Sequence, residues 1–149
     1  MKIQMQEILD YIYDHIPITS HLGAFIQQYD DESITIGAPL DANINHRNSV
    51  FGGSLSAIAI LSGWALLFVK LKRCGIQNRL VIQHSSFDFL NPATSDFEAR
   101  SEFPSSAELD RFMKMFARKG KARITIKTNV YSGSELCGVS TGVYVAVKI

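Results

Sequence analysis

Between residues 53 and 73 the chain carries an almost unbroken apolar run, and the segments on either side alternate in ways that suit elements packed around it. Read as a helix, that run is apolar on every side rather than along one stripe, so it must be buried on most of its circumference. Lys70, Lys72 and Arg73 in its last turn complement the negative end of the macrodipole, and Gly75 suits a left-handed position just beyond it. Upstream, Met5, Ile8, Leu9 and Ile12 recur at helical spacing over residues 2–15, and Pro17 forces the stop. Residues 22–29 read as strand and Asp30-Asp31 as a turn. Ile34, Ile36 and Ala38 then alternate with Ser33, Thr35 and Gly37 as far as Pro39, which predicts a hairpin. Residues 39–49, rich in Asn and Asp, form a loop into the central helix.

Downstream, residues 80–90 are β-branched and aromatic, a strand ended by Asn91-Pro92, and Phe97, Ala99, Ser101 and Phe103 alternate up to Pro104. Ser105-x-x-Glu108 is a capping box opening a second helix, with Leu109, Phe112, Met113 and Phe116 as its buried stripe and Gly120 as its end. Ile124, Ile126, Thr128 and Val130 alternate next, Ser132-Gly133 turns the chain, and Val139, Thr141, Val143, Val145 and Val147 alternate to the end. The order is helix, two strands, long buried helix, two strands, helix, two strands. That predicts an α+β fold with a mostly antiparallel sheet.

At 149 residues the chain is long enough for one domain with a real core, spanning residues 1–149. A formal charge of +1 argues against general nucleic-acid binding, and with 19% charged residues much of the surface is expected to lie under a partner subunit. Cys74 and Cys137 have no metal-ligand spacing and read as reduced thiols of a cytoplasmic protein, with no metal site. Glu7, Asp10 and Asp14 interrupt the first apolar stretch, against a signal peptide. No charge breaks residues 49–69, long enough to cross a bilayer. Gly52, Gly53, Ser54, Ser56, Ser62 and Gly63 dilute that run, however, and basic residues at both ends (Arg47; Lys70, Lys72, Arg73) leave it without an orientation. A core helix is expected, not a membrane span.

Residues 45–53 read Asn-His-Arg-Asn-Ser-Val-Phe-Gly-Gly, and after the long helix comes Phe89-Leu90-Asn91-Pro92-Ala93. This combination resembles the hotdog fold, whose usual entry motif is Asn-x-x-Gly-x-x-His-Gly-Gly. Over nearly the whole chain the similarity is to a thioesterase-like branch, found alone or as the C-terminal half of acetyltransferase fusion proteins, and to single-domain malonyl-ACP decarboxylases. The resemblance implies a curved antiparallel sheet wrapped around the central helix. It also implies a homodimer, or a dimer of dimers, joined edge to edge with sites at the interface. The substrates would be acyl thioesters carried by acyl carrier protein or coenzyme A, with no further cofactor, no nucleic acid and no membrane. Two departures matter. Asn48 stands at the Gly position, where Asn best tolerates the left-handed region. Phe51 stands where related dehydratases and many thioesterases carry His, which leaves a dehydratase without its base and removes that reaction.

Thioester chemistry needs a place for negative charge on the carbonyl oxygen. The amides of Gly52 and Gly53 at a helix N-terminus offer one, and the Asn45 side chain would add a second donor. Phe51 and Ser54 are counted with them as substrate contacts. The bland alternative is that the glycines permit close packing and Asn45 makes a turn. Hydrolysis also requires a base, and the family's carboxylate position near Ile60 is apolar here. Asp41, His46 and Asp88 remain as candidates, each equally readable as a turn or solvent-facing residue. Decarboxylation of a malonyl thioester requires no base, only enolate stabilisation within apolar walls, for which Phe51, Ile58 and Trp64 are available. Arg111, Lys114 and Arg118 share one side of the second helix, with Lys119, Lys121 and Arg123 close behind and Arg79 and Arg100 as further additions. They read as a solvated face or as a docking surface for an acidic carrier or coenzyme A phosphates. A binding or regulatory module that keeps the pocket without the chemistry is the third reading.

Overall fold

The computed structural model describes residues 3–149. Helix α1 (Met5–His15) and the short α2 (Ile18–His21) precede the hairpin of β1 (Phe25–Tyr29) and β2 (Ser33–Ala38). A 3-10 turn (Asp41–Asn43) leads into α3 (Gly52–Arg73), followed by β3 (Asn78–Phe89), β4 (Phe97–Glu102), α4 (Ser106–Lys119), β5 (Lys121–Ser132) and β6 (Glu135–Lys148). The expected α+β order is therefore present, with the first helix beginning later than residue 2, which lies outside the described residues. The strand expected from residue 22 starts at Phe25 instead. Thr19 Oγ1 donates to the Ile16 carbonyl and Gly23 takes φ +72°, so this stretch closes a helical turn before the chain extends.

Six strands form one antiparallel sheet in the order β1-β2-β4-β5-β6-β3. The sheet curves around α3, the hotdog arrangement that the sequence resembles. By length and composition α3 could span a bilayer, but 67% of its most apolar window is buried inside the fold, where an all-round apolar helix belongs. Its ends follow the sequence: Gly75 has φ +69° just beyond the C-terminus. Ser105 Oγ caps α4 by accepting from the Glu108 amide at 3.3 Å, and Gly120 closes that helix at φ +71°.

Two contacts seat α3 on the sheet. Tyr144 of β6 is 2% exposed, and its hydroxyl donates to the Ile60 carbonyl at 2.8 Å. The ring fits because Gly63 has no Cβ; one added there would collide with it. Next to it, Ser62 Oγ donates to the Ala99 carbonyl at 3.2 Å and accepts from Ser101 Oγ at 2.8 Å, and Ser101 lies 2.6 Å from Thr128 Oγ1. These three buried hydroxyls satisfy one another across α3, β4 and β5, as groups without access to water must.

Register assigns the two faces. Leu80 lies opposite Ala146 and Ile82 opposite Tyr144, facing α3, whereas Val81 lies opposite Val145 on the outer face. The register then shifts between Ile82 and His84, so that Phe87 and Phe89 pair with Ser140 and Gly138 on the inner face and Asp88 with Val139 on the outer one. β4 ends at Glu102, opposite Lys127, so residues 121–126 of β5 run on without it, and α4 packs chiefly against β5. Phe112 and Phe116 are buried there.

Placing Ala at Gly63 should destabilise the protein by about 1–3 kcal/mol, the usual cost of overpacking. Gly63→Ala combined with Tyr144→Phe should not restore stability, because the ring remains in the way. Urea denaturation of these two variants and of Tyr144→Phe alone measures this, and an unchanged midpoint for Gly63→Ala would show that the contact with Tyr144 is soft.

Candidate functional site

The N-terminus of α3 emerges at the rim of the sheet. Val50 donates its amide to the Ala93 carbonyl at 2.8 Å and Phe51 to the Asn43 carbonyl at 2.7 Å, which pin the entering chain. Phe51 is the N-cap and makes no side-chain cap. The Phe51 carbonyl accepts from Ser54 and Leu55 at 2.9 and 3.2 Å, so the preceding amides, those of Gly52 and Gly53, are the helix's unpaired leading donors. Such a pair carries the positive end of the helix dipole.

Aromatic rings flank these amides. A Cβ on Gly53 would strike the Phe51 ring, and one on Gly52 would come within 3.2 Å of Phe89. Phe89 in turn packs against Phe87 with centroids 4.5 Å apart, and Phe87 occupies the space that a side chain at Gly138 would need. Phe51 and Phe89 are 59% and 60% exposed. The glycines thus make room for the rings.

The loop before α3 is built by asparagines with different tasks. Asn45 Oδ1 accepts from the amides of Arg47 and Ser49 at 2.8 and 3.1 Å, while Nδ2 donates to Ser49 Oγ at 3.1 Å. Its carboxamide therefore closes the turn, and its donor already has an acceptor. Asn48 holds φ +60°, the left-handed conformation expected of it in place of Gly. Asn43 is the residue that the sequence did not single out. It is 3% exposed, and Nδ2 donates to the carbonyls of Leu22 and Pro39 at 2.9 and 2.8 Å, tying this loop to the β1 side of the fold.

The other candidates are scattered. Asp41 opens the 3-10 turn and is exposed, as is His46 within the Asn45 turn. Asp88 lies on the outer face, across the sheet from α3, and is not brought to the helix N-terminus. Ser54 is buried in the first turn, and Ile58 is fully buried in the core, so Ile58 forms no open wall. Trp64 is half-buried, its Nε1 donating to the Leu80 carbonyl at 3.0 Å and its ring stacked on Phe68. Of the expected walls only Phe51 stands at the rim. Phe87 and Phe89 complete it, and their alternation along β3 was the signal for them. Arg111, Lys114 and Arg118 are all exposed on α4 and line one flank of it. They share that flank with Asp110, and Arg111 also borders an adjoining trough.

Electrostatics narrow the chemistry. Burial pushes the Cys137 thiol up and holds the Tyr144 hydroxyl far above its ordinary range. A buried thiol so shifted makes a poor nucleophile. Among the described residues no group of three or more His, Cys, Asp or Glu is placed to hold a metal.

Residues 5–148 match the family described as "Putative thioesterase (yiiD_Cterm)". The chain belongs to that family. Its backbone is similar to that of a protein of unknown function from Chlorobaculum tepidum, at 27% identity and a TM-score of 0.92, covering 97% of this chain and 94% of that one. A "putative thioesterase" from Shewanella oneidensis shares 22% identity with a TM-score of 0.86, covering 96% of each chain. A "probable thioesterase" from Pseudomonas aeruginosa matches at 17% identity and a TM-score of 0.83, covering 100% and 99%. The fold and thioesterase superfamily implied by the sequence resemblance are thereby established.

Alkylating reagents should separate the two cysteines. Cys74 is exposed and Cys137 buried, so iodoacetamide on the native protein should label Cys74 alone, with Cys137 reacting only after denaturation. Cys74 lies at the C-terminal end of α3, about 30 Å along the helix from the glycine amides. Its modification should leave turnover unchanged, as mass mapping alongside an activity assay would report.

Proposed function

We propose that this protein acts on acyl thioesters bound with the carbonyl oxygen against the Gly52 and Gly53 amides, and that its reaction is decarboxylation of a malonyl thioester. The observation that carries this reading is the unpaired amide pair at the head of a helix that contains no carboxylate from Gly52 to Arg73. Hydrolysis, the activity named by the family description, needs a base near the carbonyl. The position near Ile60 is apolar and its backbone carbonyl is bonded to Tyr144. Decarboxylation supplies its own electron pair. The bond between the carboxylate carbon and the α-carbon breaks, its electrons form the enolate, carbon dioxide departs, and the α-carbon takes a proton from water to give acetyl thioester. Backbone donors aimed at the enolate oxygen stabilise the charge as it develops, and one such donor is typically worth ~10²–10³ in rate. Phe51, Phe87 and Phe89 supply apolar walls that favour the dispersed enolate over the localised carboxylate. Asn45 joins the site if its Nδ2 leaves Ser49 for the substrate.

Malonyl thioester should therefore be converted to acetyl thioester faster than acetyl or longer acyl thioesters are hydrolysed, as mass spectrometry of the acyl group would show. Efficient hydrolysis with malonyl untouched would place the base on Asp41 or His46 and return the reading to a simple thioesterase. Binding without turnover of any thioester would make it an acyl-binding or regulatory module. Asn45→Asp separates turn from catalysis, since Asp keeps the Oδ acceptors of the turn and removes the donor. Its unfolding temperature should stay within a degree or two while the rate falls at least tenfold. An unchanged rate removes Asn45 from the mechanism.

The site is proposed to be completed by a second subunit. β3 is twelve residues long and forms one edge of the sheet, and an unpaired edge of that length is normally covered. Antiparallel pairing of β3 with its copy would close the sheet and shield Phe89 and the exposed Leu90. Sedimentation at micromolar concentration should give a dimer, and a stable monomer would overturn this assembly.

A further inference from the structure

A trough of about 1000 Å³ runs between α4 and the outer face of β5, β6 and β3, away from the α3 N-terminus. Glu108, Arg111, Met115 and Lys119 form its helix side, at the i, i+3, i+7, i+11 spacing of one stripe. Its floor includes Val81, Val145 and Val147, and Lys121 and Arg123 rise from β5. Val81 and Met115 are 49% and 39% exposed. Four cations thus border an aliphatic floor against one carboxylate. The trough adjoins the flank holding Lys114 and Arg118, with which it shares Arg111 and Met115, so the cationic surface runs from that flank into the trough.

We infer that the trough docks an acidic amphipathic helix of the protein that carries the thioester. A helix is about 10–12 Å across with its side chains and suits a channel bounded by one helix and three strands. Carboxylates along its flanks meet Arg111, Lys119, Lys121 and Arg123, and an aliphatic stripe meets Val81, Val147 and Met115. A second copy of this chain fits poorly, because the same trough turned on itself would oppose cation to cation. A bare coenzyme A fits poorly as well: the open floor is aliphatic and gives the adenine no exposed aromatic ring to stack on. In a dimer joined antiparallel along β3, Val81 near the start of one β3 lies at the same end of the joined sheet as Phe89 of its copy. The trough would then serve the copy's site. This assignment rests on the thioester reading for the cargo only.

The test measures the affinity of fluorescently labelled acyl carrier protein for the wild type, for Lys121→Glu/Arg123→Glu and for Arg111→Glu/Lys119→Glu, all exposed positions. Each pair should weaken binding tenfold or more at low salt, with the difference shrinking as salt is added. Turnover of malonyl-pantetheine, which lacks the carrier, should stay within twofold. Unchanged carrier affinity in both variants overturns the proposal. Equal loss on malonyl-pantetheine or on malonyl-coenzyme A also overturns it, since the trough would then hold small substrate. So does a fall in sedimenting mass, which would make the trough an interface between copies. Salt-sensitive carrier binding lost in both variants, with no turnover of any thioester, would keep the docking surface and sink the decarboxylase reading instead.

Discussion

An apolar helix with no polar side has to be enclosed, and the architecture follows from enclosing α3. Twelve of its residues are buried, spread around its circumference, so a flat sheet covering one face would leave the rest in water. A curved sheet solves this only if the helix comes close to the strands. That is why small groups sit where they meet: Gly63 beneath the Tyr144 ring, and Ser62 within reach of Ser101 and Ala99. Each larger residue at these points would push the helix off the sheet, and each unpaired hydroxyl would cost about 1–3 kcal/mol.

Enclosure leaves one stripe through Ile60, Trp64 and Phe68 partly exposed, and the two ends of the helix differ in charge. At the C-terminal end Lys70, Lys72 and Arg73 complement the dipole, and Arg73 pairs with Asp31 of the β1–β2 turn. At the N-terminal end no acidic residue occurs in the first turn and no side chain caps the helix. The positive end of the dipole is left unneutralised, facing the rim beside two half-exposed rings. A globular protein gains nothing in stability from that arrangement, because a Ser, Asp or Asn cap would contribute about 1 kcal/mol. On the proposed reading, an anionic guest would recover the difference. The same enclosure accounts for the lack of a base: a carboxylate one or two turns into α3 would be buried without a partner, at several kcal/mol.

The fold was legible because its signals are local and periodic. The all-round apolar run, the alternation of Ile34, Ile36 and Ala38, the Ser105–Glu108 cap and the left-handed Gly75 and Gly120 each carry their meaning within a few residues. The candidate site was legible chiefly at the Gly52-Gly53 pair, which combines a turn signal with a helix start. Asn45 was singled out over Asn43, yet Asn43 is the buried one that ties the loop to Leu22 and Pro39. Two asparagines two positions apart look alike in sequence, and what separates them is which carbonyls the fold brings near. Asp88 and Phe89 show the same limit. Strand alternation puts them on opposite faces, but a one-residue register shift between Ile82 and His84 had to be known before the inner face could be assigned. Ile58 and Trp64 were plausible walls until packing consumed both.

The outer face raises a different question, because nothing on it is required for enclosing α3. Lys121, Arg123 and Thr125 alternate with buried Ala122, Ile124 and Ile126, so any polar residue would satisfy those outward positions. Two of the three are cations, and α4 brings Arg111 and Lys119 alongside, while Glu98 and Glu102 sit further along on β4. Net charge over the chain is only +1, so a cationic trough at one place requires an acidic surplus elsewhere, and Asp30, Asp31 and Glu32 at the β1–β2 turn supply part of it. Such segregation raises the field at both patches without changing the total, which affects encounter rates with charged partners more than folding. On the proposed reading, the chemistry at the α3 rim depends on the core, and the choice of who delivers the substrate depends on side chains the core leaves free to vary.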